Sequence, residues 1–241
     1  MSMKNIYGPV NSRRLKLSLG ISLTPDKTCS FNCIYCQLGP TKECVIERKE
    51  YVLEDDIVAE LKSWLDNNTI DAKQINYISF SGSGEPTLYN KIGSLIKRIK
   101  KITVIPLAVI TNSSLLHIAS VRKELLGAHL IIPSLDAVTK EVFQKIDRPH
   151  SGIKIEHVID GLANLRQEFK GKIWLEVMLV KGINDDLRHI RKLKEAIDKI
   201  KPDKIQLNSP VRATAESDIQ AVDAKKLLKV KEILGDNCEI I

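Results

Sequence analysis

Three thiols stand within eight residues of one another in Cys29-Ser-Phe-Asn-Cys33-Ile-Tyr-Cys36. Thiolates packed this closely cannot all point into a core, and in a reducing compartment such clusters hold metal more often than they form disulfides. A structural zinc site wants four protein ligands, commonly as two paired half-sites. There is no second CxxC and no nearby His, so Cys44 is the candidate fourth thiol. An iron-sulfur cube can instead take three thiolates and keep one iron free of protein. From the cysteines alone, zinc, an ordinary four-thiolate cluster and a three-thiolate cube all stand open.

The elements that position these residues follow from hydropathy patterning. Residues 15–24 alternate, with Leu15, Leu17, Leu19, Ile21 and Leu23 on one side, and predict a strand that ends at Pro25-Asp26 just before the cysteines. Strands are also expected over 75–80, 104–110, 128–133, 173–180 and 204–207, each followed by helical spacing. Helices are expected from Glu54, over 91–101, 115–126, 138–146 with 153–169, 187–200 and 222–234. Strict alternation of apolar strands with helices means a parallel sheet with outer helices. Six units are too few to close an eight-fold barrel. The expectation is therefore an α/β chain forming one domain over residues 1–241, an open partial (β/α)6 TIM-like barrel. Residues 1–14 are an N-terminal arm, and 25–50 are the cluster loop and its extension.

In such folds the chemistry lies beyond the carboxyl ends of the strands, and the polar clusters fall there. The cysteines follow the first strand, and Gly82-Ser83-Gly84-Glu85-Pro86 follows the second. Glycines let a backbone approach a ligand, and Glu85 can accept from an ammonium. Asn112 follows the third strand, where Asn112 and Ser114 could equally cap the next helix. Ser134 and Asp136 follow the fourth. Glu176, a candidate catalytic carboxylate, shares a face with Met178 in an otherwise apolar strand and should face the barrel lumen, because burying it unpaired is costly. Lys181, at that strand's end, is the candidate amine for covalent catalysis, weighed against a plain surface lysine. Gln206, Asn208 and Arg212 are candidate adenine or substrate contacts, while Arg13-Arg14 and Arg148 with His150 are candidate anion contacts. His129 reads as a core residue, and His117, His157 and His189 as helix surface.

The C-x3-C-x2-C spacing, with the aromatic Tyr35 just before the last Cys, resembles the signature of the radical S-adenosylmethionine superfamily. The resemblance implies a [4Fe-4S] cluster on Cys29, Cys33 and Cys36 whose open iron chelates S-adenosylmethionine and cleaves it to a 5′-deoxyadenosyl radical. It implies that Gly82, Ser83, Gly84 and Glu85 match the segment holding the methionine amino group, with Ser83 separating the glycines. It also implies that Asn112, Ser134 and Asp136 match the ends that contact ribose and methionine carboxylate. An electron donor such as flavodoxin or ferredoxin is implied as a partner.

Gly-Pro-Val-Asn-Ser-Arg-Arg, Ser-Gly-Ser-Gly-Glu-Pro-Thr-Leu, Ile-Thr-Asn-Ser-Ser-Leu, Pro-Ser-Leu-Asp-Ala and Leu-Val-Lys-Gly-Ile-Asn-Asp resemble a group related to the wyosine-type tRNA synthases. Those enzymes modify tRNA guanosine with a second cluster on additional N-terminal cysteines. This chain has no Cys before Cys29, which sets that second cluster aside. The functions in view are a radical enzyme acting on RNA or a small molecule, a glycyl-radical-type activase of a partner protein, and a non-catalytic iron-sulfur or zinc module. The net charge of +7 permits an RNA partner or a solvated lysine-rich surface. The sequence has no signal-peptide core and no membrane-length apolar run, so a cytoplasmic location is expected.

Overall fold

The computed structural model describes residues 4–25, 27–42 and 44–241. The elements in chain order are β1 (Ile6–Ser12), β2 (Lys16–Ile21), α1 (Glu54–Asn67), α2 (Thr69–Ala72), β3 (Tyr77–Phe80), α3 (Ile92–Ile102), β4 (Leu107–Thr111) and α4 (Ala119–Leu125). They continue with β5 (Leu130–Pro133), α5 (Lys140–Ile146), α6 (Ile155–Glu168), β6 (Lys172–Met178), α7 (Leu187–Ile200), β7 (Lys204–Asn208), α8 (Ala224–Leu234) and β8 (Cys238–Ile240). The strands form one sheet in sequence order, β1 antiparallel to β2 and every later pair parallel, and the sheet does not close.

The six expected α/β units are present, and a strand is added at each edge. The segment expected as an N-terminal arm is β1, paired with β2 from Ile6–Ile21 to Ser12–Lys16. Its alternation is hidden by Gly8-Pro9 and by a register irregularity between Tyr7 and Val10. β8 is only three residues long, too short for a period to show. Val104 is 99 % exposed and lies ahead of β4, so the apolar run there begins with a connector rather than a strand.

Side chains alternate across the sheet, which sorts the core into two layers. Leu19, Ile21, Ile78, Phe80, Val109, Ile131, Leu175, Val177 and Leu207 face the helices and pack on their apolar stripes. The other face encloses a small lumen core of Leu15, Ala108, Leu130 and Ile132, flanked by Tyr77, Ile110 and Trp174. α7 shows how a helix is fixed. The Asp186 carboxylate accepts from the N–H groups of Arg188 and His189 at its start, and Ile190, Leu193, Ile197 and Ile200 bury one stripe. Lys201 then turns left-handed at φ 53° ahead of Pro202.

Two histidines fall opposite to expectation. His189 is buried on that stripe, and burial pulls its pKa down. His129 is exposed, with its ring Nδ1 accepting from the Leu107 N–H at 3.0 Å. No described helix is long and apolar enough to cross a membrane.

Candidate active site at the strand ends

The cysteine loop is irregular, so its backbone must find partners outside regular structure, and it finds them on two sides. On one side Glu85 N–H donates to Thr28 O at 3.0 Å and Lys27 N–H to Ser83 O at 2.7 Å. A Cβ on Gly84 would lie 2.0 Å from Thr28 O and 2.5 Å from Thr24 Oγ1, so only glycine lets the two loops meet. On the other side Asn32 N–H donates to Asp147 O at 3.0 Å, Ile34 N–H to Ile146 O at 3.0 Å and His150 N–H to Ser30 O at 2.9 Å. The break around Arg148 and His150, which the sequence offered as an anion site, is thus a backbone cradle for the cysteine loop. The Arg148 guanidinium pairs with Glu216 instead.

Cys29, Cys33 and Cys36 are each half-buried. Burial pushes the Cys29 thiol up to about 12, and burial with the nearby Asp147 and Cys29 pushes Cys33 well above its ordinary value. Lys27 was missed in the sequence because a lone lysine carries no signal. It stands left-handed at φ 53° and places its ammonium 3.0 Å from Cys36 Sγ. Cys44 pairs with Cys29 through backbone, with Val45 N–H donating to Cys29 O at 3.0 Å. Its thiol instead points at Arg148 O, 3.9 Å away.

Among the described residues no three His, Cys, Asp or Glu side chains converge closely enough to grip a single metal ion. A four-iron cube distributes three thiolates over three different irons and so holds them farther apart than one zinc ion does. The all-sulfur donor set, the spacing of the trio and the lysine beside it fit a [4Fe-4S] cluster.

The strand-end residues gather around this loop, in roles that partly differ from those expected. Asn112 donates from Nδ2 to Ser30 Oγ at 2.9 Å and lies 3.5 Å from Cys29 Sγ, while its Oδ1 accepts from Ser114 N–H at 3.0 Å. It therefore braces the loop and caps its own turn at once. Glu85 is not offered to a ligand. At 2 % exposure its carboxylate accepts from Thr87 N–H and Oγ1, Thr111 Oγ1 and Asn112 N–H, at 2.6–3.0 Å. Burial raises its pKa against those four hydrogen bonds. The group this segment leaves open is the backbone of Gly82, exposed at φ 122°, whereas the Ser83 carbonyl accepts from Lys27 and its N–H faces Ser22 Oγ at 3.5 Å.

Ser134 and Asp136 line a small cavity with Tyr35, Asn112 and Asp147. Asp136 is buried, accepting from Met178 N–H at 2.8 Å and from the Tyr35 hydroxyl. Burial pushes its pKa up to about 7, opposed by those hydrogen bonds, and the neighbouring Asp147 is raised too. An unfolded Asp titrates near 3.8, so between that pH and about 7 the folded chain binds the extra proton. The stability from this group is therefore present below about pH 4 and lost as pH rises through 7. Urea unfolding should show wild type losing more stability between pH 5 and 8 than Asp136→Asn; equal losses would contradict the assignment.

Glu176 does face the lumen, as its cost of burial demands. Arg14 donates to it from Nε at 2.8 Å and from Nη2, and Asn208 Nδ2 approaches at 3.4 Å. Burial alone would lower the Arg14 pKa, but the Glu176 carboxylate outweighs it and leaves the guanidinium above its ordinary value. Arg14 is therefore no solvated arm. Removing it strands a carboxylate that is 6 % exposed, so Arg14→Ala should cost about 3 kcal/mol in denaturant unfolding. A loss below about 1 kcal/mol would mean the pair contributes little.

Lys181 is not in the site. It is exposed on the turn after β6, with its ammonium 3.3 Å from Gln220 Oε1, so the covalent role offered for it is withdrawn. Gln206 donates to Glu239 on β8 at 3.1 Å, which ties it to the far edge of the sheet rather than to the cysteines. Arg212 donates to Gln37 Oε1 at 2.7 Å, at the end of the cysteine loop.

Comparison with known proteins agrees with this geometry. A protein of Brachyspira hyodysenteriae named GTPase Obg is 44 % identical over 240 residues, covering all of this chain, but the chain spans only 35 % of that relative's length. A UPF0026 protein of Methanocaldococcus jannaschii is 33 % identical over 235 residues, covering 96 % of this chain and 72 % of that one. The crystal structure of a radical SAM methyltransferase from Sphaerobacter thermophilus superposes with a TM-score of 0.73 at 16 % identity, covering 93 % of this chain and 65 % of that one, a likeness of fold. Residues 24–194 match the Radical SAM superfamily as a whole. With three thiols at the first parallel strand's end and the partial barrel around them, the chain belongs to the radical S-adenosylmethionine superfamily, whose cofactors are a [4Fe-4S] cluster and S-adenosylmethionine.

Proposed function

We propose that this chain reductively cleaves S-adenosylmethionine and uses the 5′-deoxyadenosyl radical to take a hydrogen atom from a base in tRNA. The observation that carries the cleavage is the set of three thiols at the strand ends with the fourth nearby thiol, Cys44, turned to Arg148 O. When bound, a cluster held by three thiolates supplies the electron and an iron site for the methionine amino and carboxylate groups.

The chain's own residues do the rest. Cys29, Cys33 and Cys36 hold the cluster, and Lys27 offsets its negative charge beside Cys36. Asn112 and the Tyr35–Asp136 contact fix the loop from two sides. Gly82, exposed at φ 122°, offers its backbone groups toward the cofactor, and Ser134 lines the small cavity beside Tyr35 and Asn112. The Arg14–Glu176–Asn208 group forms a polar wall in the lumen, where hydrogen-bonding edges of a substrate can be read. The wyosine-type phrases near Arg14 and Asp136 support a nucleobase as that substrate. The GTPase name of the Brachyspira relative is not carried over, because this chain contains no G-x4-G-K-[ST] run.

The test is anaerobic reconstitution with iron and sulfide, followed by reductant, S-adenosylmethionine and deuterated tRNA. Deuterium in the recovered 5′-deoxyadenosine supports the whole reading. Unlabelled 5′-deoxyadenosine removes tRNA but leaves the cleavage, and none at all removes both.

A further inference from the structure

A second cavity, of about 770 Å³, lies outside the barrel between α5, the 149–151 break and the first turn of α6. Its walls carry Lys140, Lys154, His150 and His157 against a single lining carboxylate among the described residues, Glu156. The walls are also firmly placed. His157 stacks on His117 with ring centroids 4.8 Å apart, and the Gly152 N–H donates to His150 Nδ1 at 3.0 Å.

The floor of the groove is Phe143 and Ile155, and both also line the small cavity beside Tyr35, Asn112 and Asp147. The Phe143 ring meets Phe31 edge-on at 5.3 Å, and Phe31 lies between Cys29 and Cys33. Pro149 bridges to Phe31 through backbone, and His150 N–H donates to Ser30 O at 2.9 Å. The Phe143–Phe31 ring contact and the Pro149–Phe31 and His150–Ser30 backbone contacts therefore join a basic groove to the cysteine loop.

Radical cleavage needs two different visitors. The substrate must enter the lumen, but the source of the electron has only to come near the cysteines. We infer that this groove is the docking face for the electron donor, a small acidic protein carrying a low-potential flavin or iron-sulfur centre. The inference rests on the cluster assigned above. One electron leaves the partner's centre, which is oxidised, and enters the cluster on Cys29, Cys33 and Cys36, which is reduced; no bond forms or breaks. A carboxylate-rich partner is drawn by Lys140 and Lys154 and held off like-charged faces elsewhere, which sets both encounter rate and orientation.

The probe is flavodoxin, with the full chain reconstituted without air. Affinity is read by calorimetry over a salt series, and electron transfer by stopped-flow oxidation of the flavin hydroquinone. Lys140→Glu with Lys154→Glu should weaken flavodoxin binding at least about tenfold and flatten its salt dependence. Lys62→Glu, an exposed position on α1, should leave both unchanged, and dithionite should reduce the cluster equally in all three proteins. Wild-type affinity and electron-transfer rate in the double variant would overturn the docking face. So would a double variant that loses tRNA binding while keeping flavodoxin, which would assign the groove to nucleic acid. Failure of dithionite to reduce the wild-type cluster would strike the proposed function instead, and the calorimetric arm, which needs no turnover, would still decide the docking face.

Discussion

Cys33→Ala, reconstituted without air, should retain less than about a tenth of the wild-type iron and sulfide and form no 5′-deoxyadenosine, whereas Cys44→Ala should keep both. The two thiols make a fair pair because both are half-buried at the cysteine loop yet aim at different partners. Cys33 is half-buried beside Asp147, 3.5 Å from its Oδ1, and near enough to Cys29 and Cys36 for their charge to raise its pKa further. Cys44 sits next to Cys29 in the backbone but aims its sulfur at Arg148 O. Iron and sulfide assays with the visible cluster absorbance read the outcome. Full iron in Cys33→Ala, or its loss in Cys44→Ala, would mean the ligands are misassigned.

Gly84→Ala should be nearly as damaging although it removes no ligand. The new methyl would stand 2.0 Å from Thr28 O, a backbone atom of the cysteine loop that also accepts from Glu85 N–H. Relief requires that loop to move, and with it the residue directly before Cys29. Overpacking of this kind costs roughly 1–3 kcal/mol, and a displaced ligand loop adds loss of cluster affinity to it. The expected result is a chain that still unfolds cooperatively, with a lowered midpoint, and that fails to hold four irons. Wild-type iron content in Gly84→Ala would mean the two loops do not depend on one another.

The parts of the fold that could be read in the sequence are those with a period. The outer faces of β2, β4 and β6 and the stripe of α7 bury apolar side chains, and burial writes itself into spacing. β1 was hidden because Gly8-Pro9 breaks its alternation, and β8 because three residues have no period. At the site, the family and its cofactors were legible in the thiol spacing and the Gly-rich turn, which have few other uses at strand ends.

Partnership is what the sequence could not supply. Glu85 spends its carboxylate on Thr87, Thr111 and Asn112, residues up to 27 positions away. Arg14 crosses 162 positions to Glu176. Lys27 becomes informative only once its ammonium is seen beside Cys36. Lys181, whose place after β6 looked right, points along the turn to Gln220.

The central claim is that three side chains hold the cluster and leave one iron to the methionine end of the cofactor. Electron-nuclear double resonance on the reduced, reconstituted protein with 15N- and 17O-labelled S-adenosylmethionine tests it most directly. Couplings from the cofactor's amino nitrogen and carboxylate oxygen to the cluster are the predicted result. A four-iron signal with no such coupling, or a protein that binds only zinc when prepared without air, would contradict it.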